Sequence, residues 1–256
     1  MNRPRLQVKG AVFGERMLFA DRLLTVRPED LIPDITRALG NDPDAFEWRI
    51  DYLEGYTDPD TSLICGYAKK LAELAGDIPI IFTPRHPDEK GVQAIDDDAK
   101  FALIEAVAAT GTMGLFDIER RYGRERISRL LDTVHSGGAR LIISHHDFDQ
   151  THTAQELYDM ILELQSWGAD IVKFIGRAHN VHEFVSLIDM VIAGREKEEI
   201  TVPLILGAGS DMGPVMRVFG EFMCNDLTFV DSYEEEFPRH LHINDIRRLR
   251  ELVLGK

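Results

Sequence analysis

Short apolar runs recur along the chain, separated by amphipathic stretches. Eight of them predict strands: Arg22–Arg27 (RLLTVR), Ala45–Asp51 (AFEWRID), Pro79–Pro84 (PIIFTP), Met113–Ile118 (MGLFDI), Ala139–Ser144 (ARLIIS), Ala169–Phe174 (ADIVKF), Val202–Leu206 (VPLIL) and Leu227–Val230 (LTFV). Several are almost wholly apolar, as strands covered on both faces must be. The stretches between them carry helical signals. Asp96–Thr110 opens on three acids, which suit the positive end of a helix, and continues in helical period. Thr153–Trp167 opens with an N-cap threonine and a glutamate three residues on, and it closes before Gly168. Asn180–Ala193 and Asp245–Val253 read the same way.

Strand followed by helix, repeated, implies parallel strands joined by right-handed crossovers. Eight repeats predict a closed (β/α)8 TIM barrel, with residues 1–256 as a single domain. An open doubly wound sheet would want a glycine-rich phosphate loop after an early strand, and none is present. Residues 1–20 are left over and predict a β-hairpin capping the N-terminal mouth of the barrel. The charged run Gly194–Glu199 (GREKEE) predicts a solvated helix end.

Charge and cysteine content narrow the partners. The 29 basic and 44 acidic residues give a formal charge of −15. Such a surface disfavours nucleic acid and anionic lipid, although a few arginines in a cleft can still receive an anion. Cys65 and Cys224 stand far apart, without metal-ligand spacing, which fits a reducing cytoplasm. The opening MNRPRLQVKG lacks the apolar core of a signal peptide, and no run reaches the roughly 18 apolar residues of a membrane span.

In a barrel of this kind, chemistry gathers at the C-terminal ends of the strands. The polar residues there are Glu47, Arg49 and Asp51; Arg85, His86, Asp88 and Glu89; Asp117 and Glu119; Ser144, His145, His146 and Asp147; Lys173; and Arg217. Lys173 stands out in an apolar strand. Burial there would disfavour the ammonium and leave the neutral amine that attacks carbonyls. A surface lysine at a strand end is the bland alternative. His145 and His146 face opposite ways, so only one can enter the site as a proton shuttle. His-His-Asp beside Asp117 and Glu119 could bind a divalent ion, but no His-x-His pair on one strand face and no His-Glu-x-x-His helix supports a metal, and none is expected. Arg49, Arg85 and Arg217 could converge on a carboxylate. Each could instead pair with a nearby acid, Arg49 with Glu47 for example.

Taken together, Glu47-Trp48-Arg49-Ile50-Asp51, Phe82-Thr83-Pro84-Arg85 with Glu89, Asp117-Ile118-Glu119, Ser144-His145-His146-Asp147-Phe148, Gly168-Ala169-Asp170-Ile171-Val172-Lys173 and Arg217 resemble the type I 3-dehydroquinate dehydratases. The N-terminal hairpin is also a feature of that family. The resemblance implies an imine on Lys173, with His146 as general acid and base and Glu89 orienting it. It implies Glu47, Arg49 and Arg85 on the ring hydroxyls, Arg217 on the carboxylate, no cofactor, and a possible homodimer. The substrate would be an anionic cyclic keto acid. The chain departs from the family at Glu236–His240, where Ser-Ala-Pro-Gly-Gln is usual and only the proline survives; His240 is the candidate replacement for the glutamine. Strand one reads Thr25-Val26-Arg27 where the family has a serine, and strand seven reads Gly207-Ala208-Gly209 rather than Ser-Met-x.

Dehydration of 3-dehydroquinate to 3-dehydroshikimate is the leading expectation. A Schiff-base lyase or dehydratase on a related cyclic keto acid, a non-catalytic metabolite-binding barrel and a metal-dependent isomerase or hydrolase are its rivals.

Overall fold

The computed structural model describes residues 3–150, 152–177, 180–208, 212–231 and 241–255. A short antiparallel hairpin comes first, β1 (Leu6–Val8) and β2 (Ala11–Phe13). Eight parallel strands follow: β3 (Leu18–Leu23), β4 (Ala45–Arg49), β5 (Ile80–Thr83), β6 (Leu115–Glu119), β7 (Arg140–Asp147), β8 (Ile171–Gly176), β9 (Leu204–Ala208) and β10 (Leu227–Val230). Helices alternate with them: α1 (Leu31–Leu39), α2 (Thr61–Ala75), α3 (Asp97–Ala108), α4 (Gly123–Ser136), α5 (Ala154–Ser166), α6 (Val181–Glu196), α7 (Gly213–Phe219) and α8 (Ile243–Leu254). The sheet order is β10-β3-β4-β5-β6-β7-β8-β9, every neighbour parallel. This is the (β/α)8 barrel expected from the sequence.

No ladder of backbone hydrogen bonds joins β9 to β10 among the described residues, and side chains close that seam. Leu206 N donates to Asn225 Oδ1 at 2.8 Å, and Leu204 N to Asp226 Oδ2 at 2.7 Å. Asp226 N in turn donates to Leu204 O at 2.8 Å. Buried strand amides need partners, and here two side-chain oxygens supply what a neighbouring strand would.

Side chains alternate across each strand, and this alternation builds the interior. Leu18, Ala20, Ala45, Ile81, Leu115, Ile142, Ile171, Ile205 and Leu227 point inward as an apolar plug. The hairpin closes the plug from below with Val8, Ala11 and Phe13, as expected for a cap on the N-terminal mouth. Outward-facing Phe46, Trp48, Phe82, Phe116, Leu141, Ile143, Val172 and Phe174 pack against the helices. Two residues further along six of the strands, the next inward rung is polar: Arg22, Glu47, Thr83, Asp117, Ser144 and Lys173, all buried.

Of three local expectations, two are revised and one holds. The first barrel strand is Leu18–Leu23, not Arg22–Arg27; Leu18 pairs with Leu227 and Ala20 with Ala45, and Thr25–Arg27 lie beyond the strand. The run RLLTVR has the better local β pattern, but only the earlier register places Leu18 and Ala20 in the plug. The helix over Thr153–Trp167 carries the anticipated cap, with Thr153 and Glu156 forming a capping box. The run Gly194–Glu199 is solvated only in part. Arg195 is buried, its Nη1 donating to Ile200 O at 2.9 Å, and Glu199 accepts from the Tyr158 hydroxyl.

Candidate active site

The polar rung opens into a cavity of about 300 Å³ at the C-terminal end of the barrel. Arg22, Glu47, Arg49, Arg85, Glu89, His146, Lys173 and Arg217 all line it, with Tyr52, Phe148, Ile175, Gly207 and Phe229 among the apolar and backbone walls. Seven of the eight expected site residues therefore meet in one place. The eighth, His240, lies outside the described residues with the rest of the Glu236–His240 segment.

Lys173 points inward because it is two residues beyond Ile171 of the plug. Its amine is not in the apolar hole expected from the sequence. Nζ donates to Asp117 Oδ2 at 2.8 Å, lies 3.4 Å from Glu47 Oε1, and sits 4.2 Å from the centre of the Phe229 ring. Apolar neighbours in sequence lie on the other face of the strand, while its inward neighbours come from β4 and β6.

Asp117 begins a chain of alternating buried charges. Arg85 Nη2 donates to it at 2.8 Å and Arg85 Nη1 lies 3.2 Å from Glu119, which accepts from Lys100 Nζ at 2.8 Å. Ser144 Oγ donates to Asp117 Oδ1 at 2.5 Å and accepts from Arg85 Nη1 at 2.9 Å. Burial would raise the pKa of Asp117, but Arg85 and Lys173 outweigh it and hold this carboxyl well below the usual range. Burial likewise opposes ionisation of Glu119 and Glu47. Arg85 and Lys100 keep the first ionised, and Lys173 and Arg49 the second. Asp117 and Glu119 are thus both engaged by buried cations.

The histidine question resolves by strand facing. His146 is inward, two residues beyond Ser144, and His145 is outward. Glu89 reaches His146 from the turn after β5: Oε2 lies 2.8 Å from His146 Nδ1 and accepts from His146 N at 2.9 Å. That turn is tight. His86 O accepts from both Glu89 N and Gly91 N, and a side chain on Gly91 would meet Arg85 O at 2.1 Å. Burial pushes the Glu89 carboxyl up to about 7, with Arg85 opposing, and pushes the His146 imidazole well below its ordinary value, helped by Arg85 and Lys173. The pair is held near neutrality, the state from which an imidazole accepts a proton.

The three arginines have different tasks. Arg49 does not pair with Glu47. It forks onto Asp51, with Nε–Oδ1 and Nη2–Oδ2 both 2.8 Å. Arg85 is bound into the buried charge chain. Arg217 donates from Nη1 to Phe229 O at 2.7 Å, and its buried Nε has no partner among the described residues. Burial and the nearby Arg22 lower its pKa to about 10. A cation so placed is ready for an incoming anion.

Sequence reading overlooked Lys100, Arg22 and Asp231. Lys100 occupies the buried face of α3 with Leu103, Ile104 and Val107, so a lysine on an apolar helical stripe was the available signal. Arg22 faces the cavity and forks onto Asp231, with Nε–Oδ1 at 2.8 Å. The shifted strand boundary hid it.

Fold and site together define an α/β-barrel enzyme organised around a buried lysine and a histidine–glutamate pair. The chain belongs to the type I 3-dehydroquinases, whose family model matches residues 23–254. It is 29% identical over 212 residues to the 3-dehydroquinate dehydratase of Alkaliphilus oremlandii, covering 83% of this chain and 82% of that one. It is similar to the solved 3-dehydroquinate dehydratase of Geobacillus kaustophilus, with a TM-score of 0.91 and 25% identity over 100% of this chain and 99% of that one. The type I 3-dehydroquinate dehydratase of Clostridium difficile, solved with covalently modified comenic acid, gives the same TM-score and identity over 99% of both chains.

Proposed function

We propose that this chain dehydrates 3-dehydroquinate to 3-dehydroshikimate through an imine on Lys173, as a step of the shikimate pathway. The observation that carries the proposal is the shared cavity of Lys173 and His146, set on adjacent strands, with Ser144 paired to Lys173 and His146 to Ile175.

The chemistry follows from these groups. The Lys173 amine, once it has given up a proton, attacks the ring ketone, and loss of water leaves a protonated imine. That cation withdraws electrons, so the neighbouring C–H becomes acidic and His146 takes the proton. The electron pair left on carbon expels the β-hydroxyl, which leaves as water with the proton His146 returns. Hydrolysis of the imine frees the product and the amine. Glu89 fixes the imidazole. Glu47, Arg49 and Arg85 are assigned to the ring hydroxyls, and Arg217 to the carboxylate, where its Nε, without a partner among the described residues, supports the assignment.

The same reading places the enzyme in the cytoplasm, in keeping with free thiols at Cys65 and Cys224 and no membrane-crossing helix among the described residues. The homodimer is part of the proposal and is checked by light scattering.

The test is incubation with 3-dehydroquinate, followed by both product absorbance and borohydride trapping with mass spectrometry. Turnover with a reduced adduct on Lys173 is expected. No adduct from a folded protein would rule the proposal out. One observation favours a second reading, in which the substrate is a related cyclic keto acid: β3 turns Arg22, held by Asp231, and no serine, into the cavity. An adduct with such a keto acid, and none with 3-dehydroquinate, would select it.

A further inference from the structure

The end of β7 turns a second group of polar side chains away from the cavity. His145 faces outward, its ring 6.1 Å from those of Phe174 and His152. Asp147 Oδ1 accepts from Asp149 N at 3.0 Å and Gln150 N at 2.9 Å, which folds the chain back after the strand. The fold-back brings His152 Nε2 to 2.8 Å from Asp147 Oδ2. One donor atom from each of His145, Asp147 and His152 lies within 4.8 Å of the others, and all three residues are half-buried. His145 has no hydrogen-bond partner among the described residues.

We propose that His145, Asp147 and His152 form a binding site for a divalent transition metal, Zn2+ foremost, on the outer face of the strand that carries His146. Ligands held about 2.0–2.2 Å from one metal sit roughly 3 Å apart. The Asp147–His152 pair already has that separation, and a rotation of the unpartnered His145 ring completes the set. Two imidazoles and one carboxylate suit Zn2+ and disfavour Mg2+ and Ca2+, which take oxygen ligands. The nearby Arg120 does not oppose the metal as a bare charge, because its Nη2 is paired to Glu163 at 2.6 Å. Phe148, the residue after Asp147, lines the substrate cavity. Metal at this site holds that wall in place and takes no part in the imine chemistry.

The test uses the untagged full chain stripped with a chelator. Zn2+ is titrated by calorimetry and Co2+ by visible absorption. Saturable one-to-one binding is expected, with a Zn2+-dependent rise in Tm. Asp147→Asn and His152→Ala should each weaken Zn2+ binding by at least about tenfold, with far-UV circular dichroism unchanged. His152→Gln decides the matter if either of those variants misfolds. Absence of saturable binding would overturn the proposal. So would Zn2+ affinity that all folded variants retain, since the metal would then sit elsewhere.

Discussion

A single oxygen of Glu89, Oε2, holds His146 twice, through Nδ1 at 2.8 Å and through the backbone N–H at 2.9 Å. The double tether fixes the plane of the ring and leaves Nε2 as its remaining nitrogen for substrate. Burial drives both partners towards neutrality, so the resting pair holds little net charge in the barrel until the imidazole takes a proton.

His146→Ala should slow turnover by about two to four orders of magnitude, the usual cost of losing a general acid and base. Some borohydride-trapped adduct should persist in single-turnover experiments, since Lys173 remains. A comparable loss of turnover in His145→Ala would contradict the facing of β7.

Lys173→Ala should abolish the adduct and also destabilise the fold. It leaves Asp117 and Glu47 buried without their shared cation, and removing one partner of a buried pair costs about 3–5 kcal/mol. Urea unfolding at neutral pH measures this. The loss should shrink in the double variant with Asp117→Asn.

Stability should fall steeply in acid. Asp117, Glu47 and Glu119 all have folded pKa values lowered by their cations, so the unfolded chain binds more protons than the folded one. Their contribution is present above the ordinary carboxylate pKa of about 4 and is lost as pH falls below it. A Tm profile from pH 7 to pH 3 tests the sign; Asp117→Asn should flatten it.

Arg217→Leu should raise KM by about 10- to 100-fold, with a smaller effect on kcat, matching a lost charged hydrogen bond of about 1.5–3 kcal/mol. Because burial and Arg22 lower the pKa of Arg217 to about 10, KM of the native enzyme should also climb as pH rises through that value. That climb should be missing in Arg217→Leu.

Asn225→Leu should cost about 1–3 kcal/mol by leaving the Leu206 amide buried without an acceptor. Chemical denaturation measures it, and the imine chemistry should survive in the folded fraction.

The sequence by itself determined the barrel, its hairpin cap and most of the polar residues that line the cavity. Eight apolar runs alternating with helical stretches admit few other topologies. The two-residue period of a strand was also enough to show that only one of His145 and His146 enters the cavity. Register and partnership across the barrel were settled only in the tertiary structure. Local β pattern favoured RLLTVR for the first strand. Pairing of Leu18 with Leu227 and Ala20 with Ala45 moved the strand upstream, and with it Arg22 into the cavity. Neighbours in sequence suggested an apolar home for Lys173 and a pairing of Arg49 with Glu47. The closed barrel instead set Lys173 between Asp117 and Glu47 and left Arg49 to Asp51. Charges on facing strands lie tens of residues apart, and their partners are chosen by the curvature and stagger of the closed sheet, which no local pattern encodes.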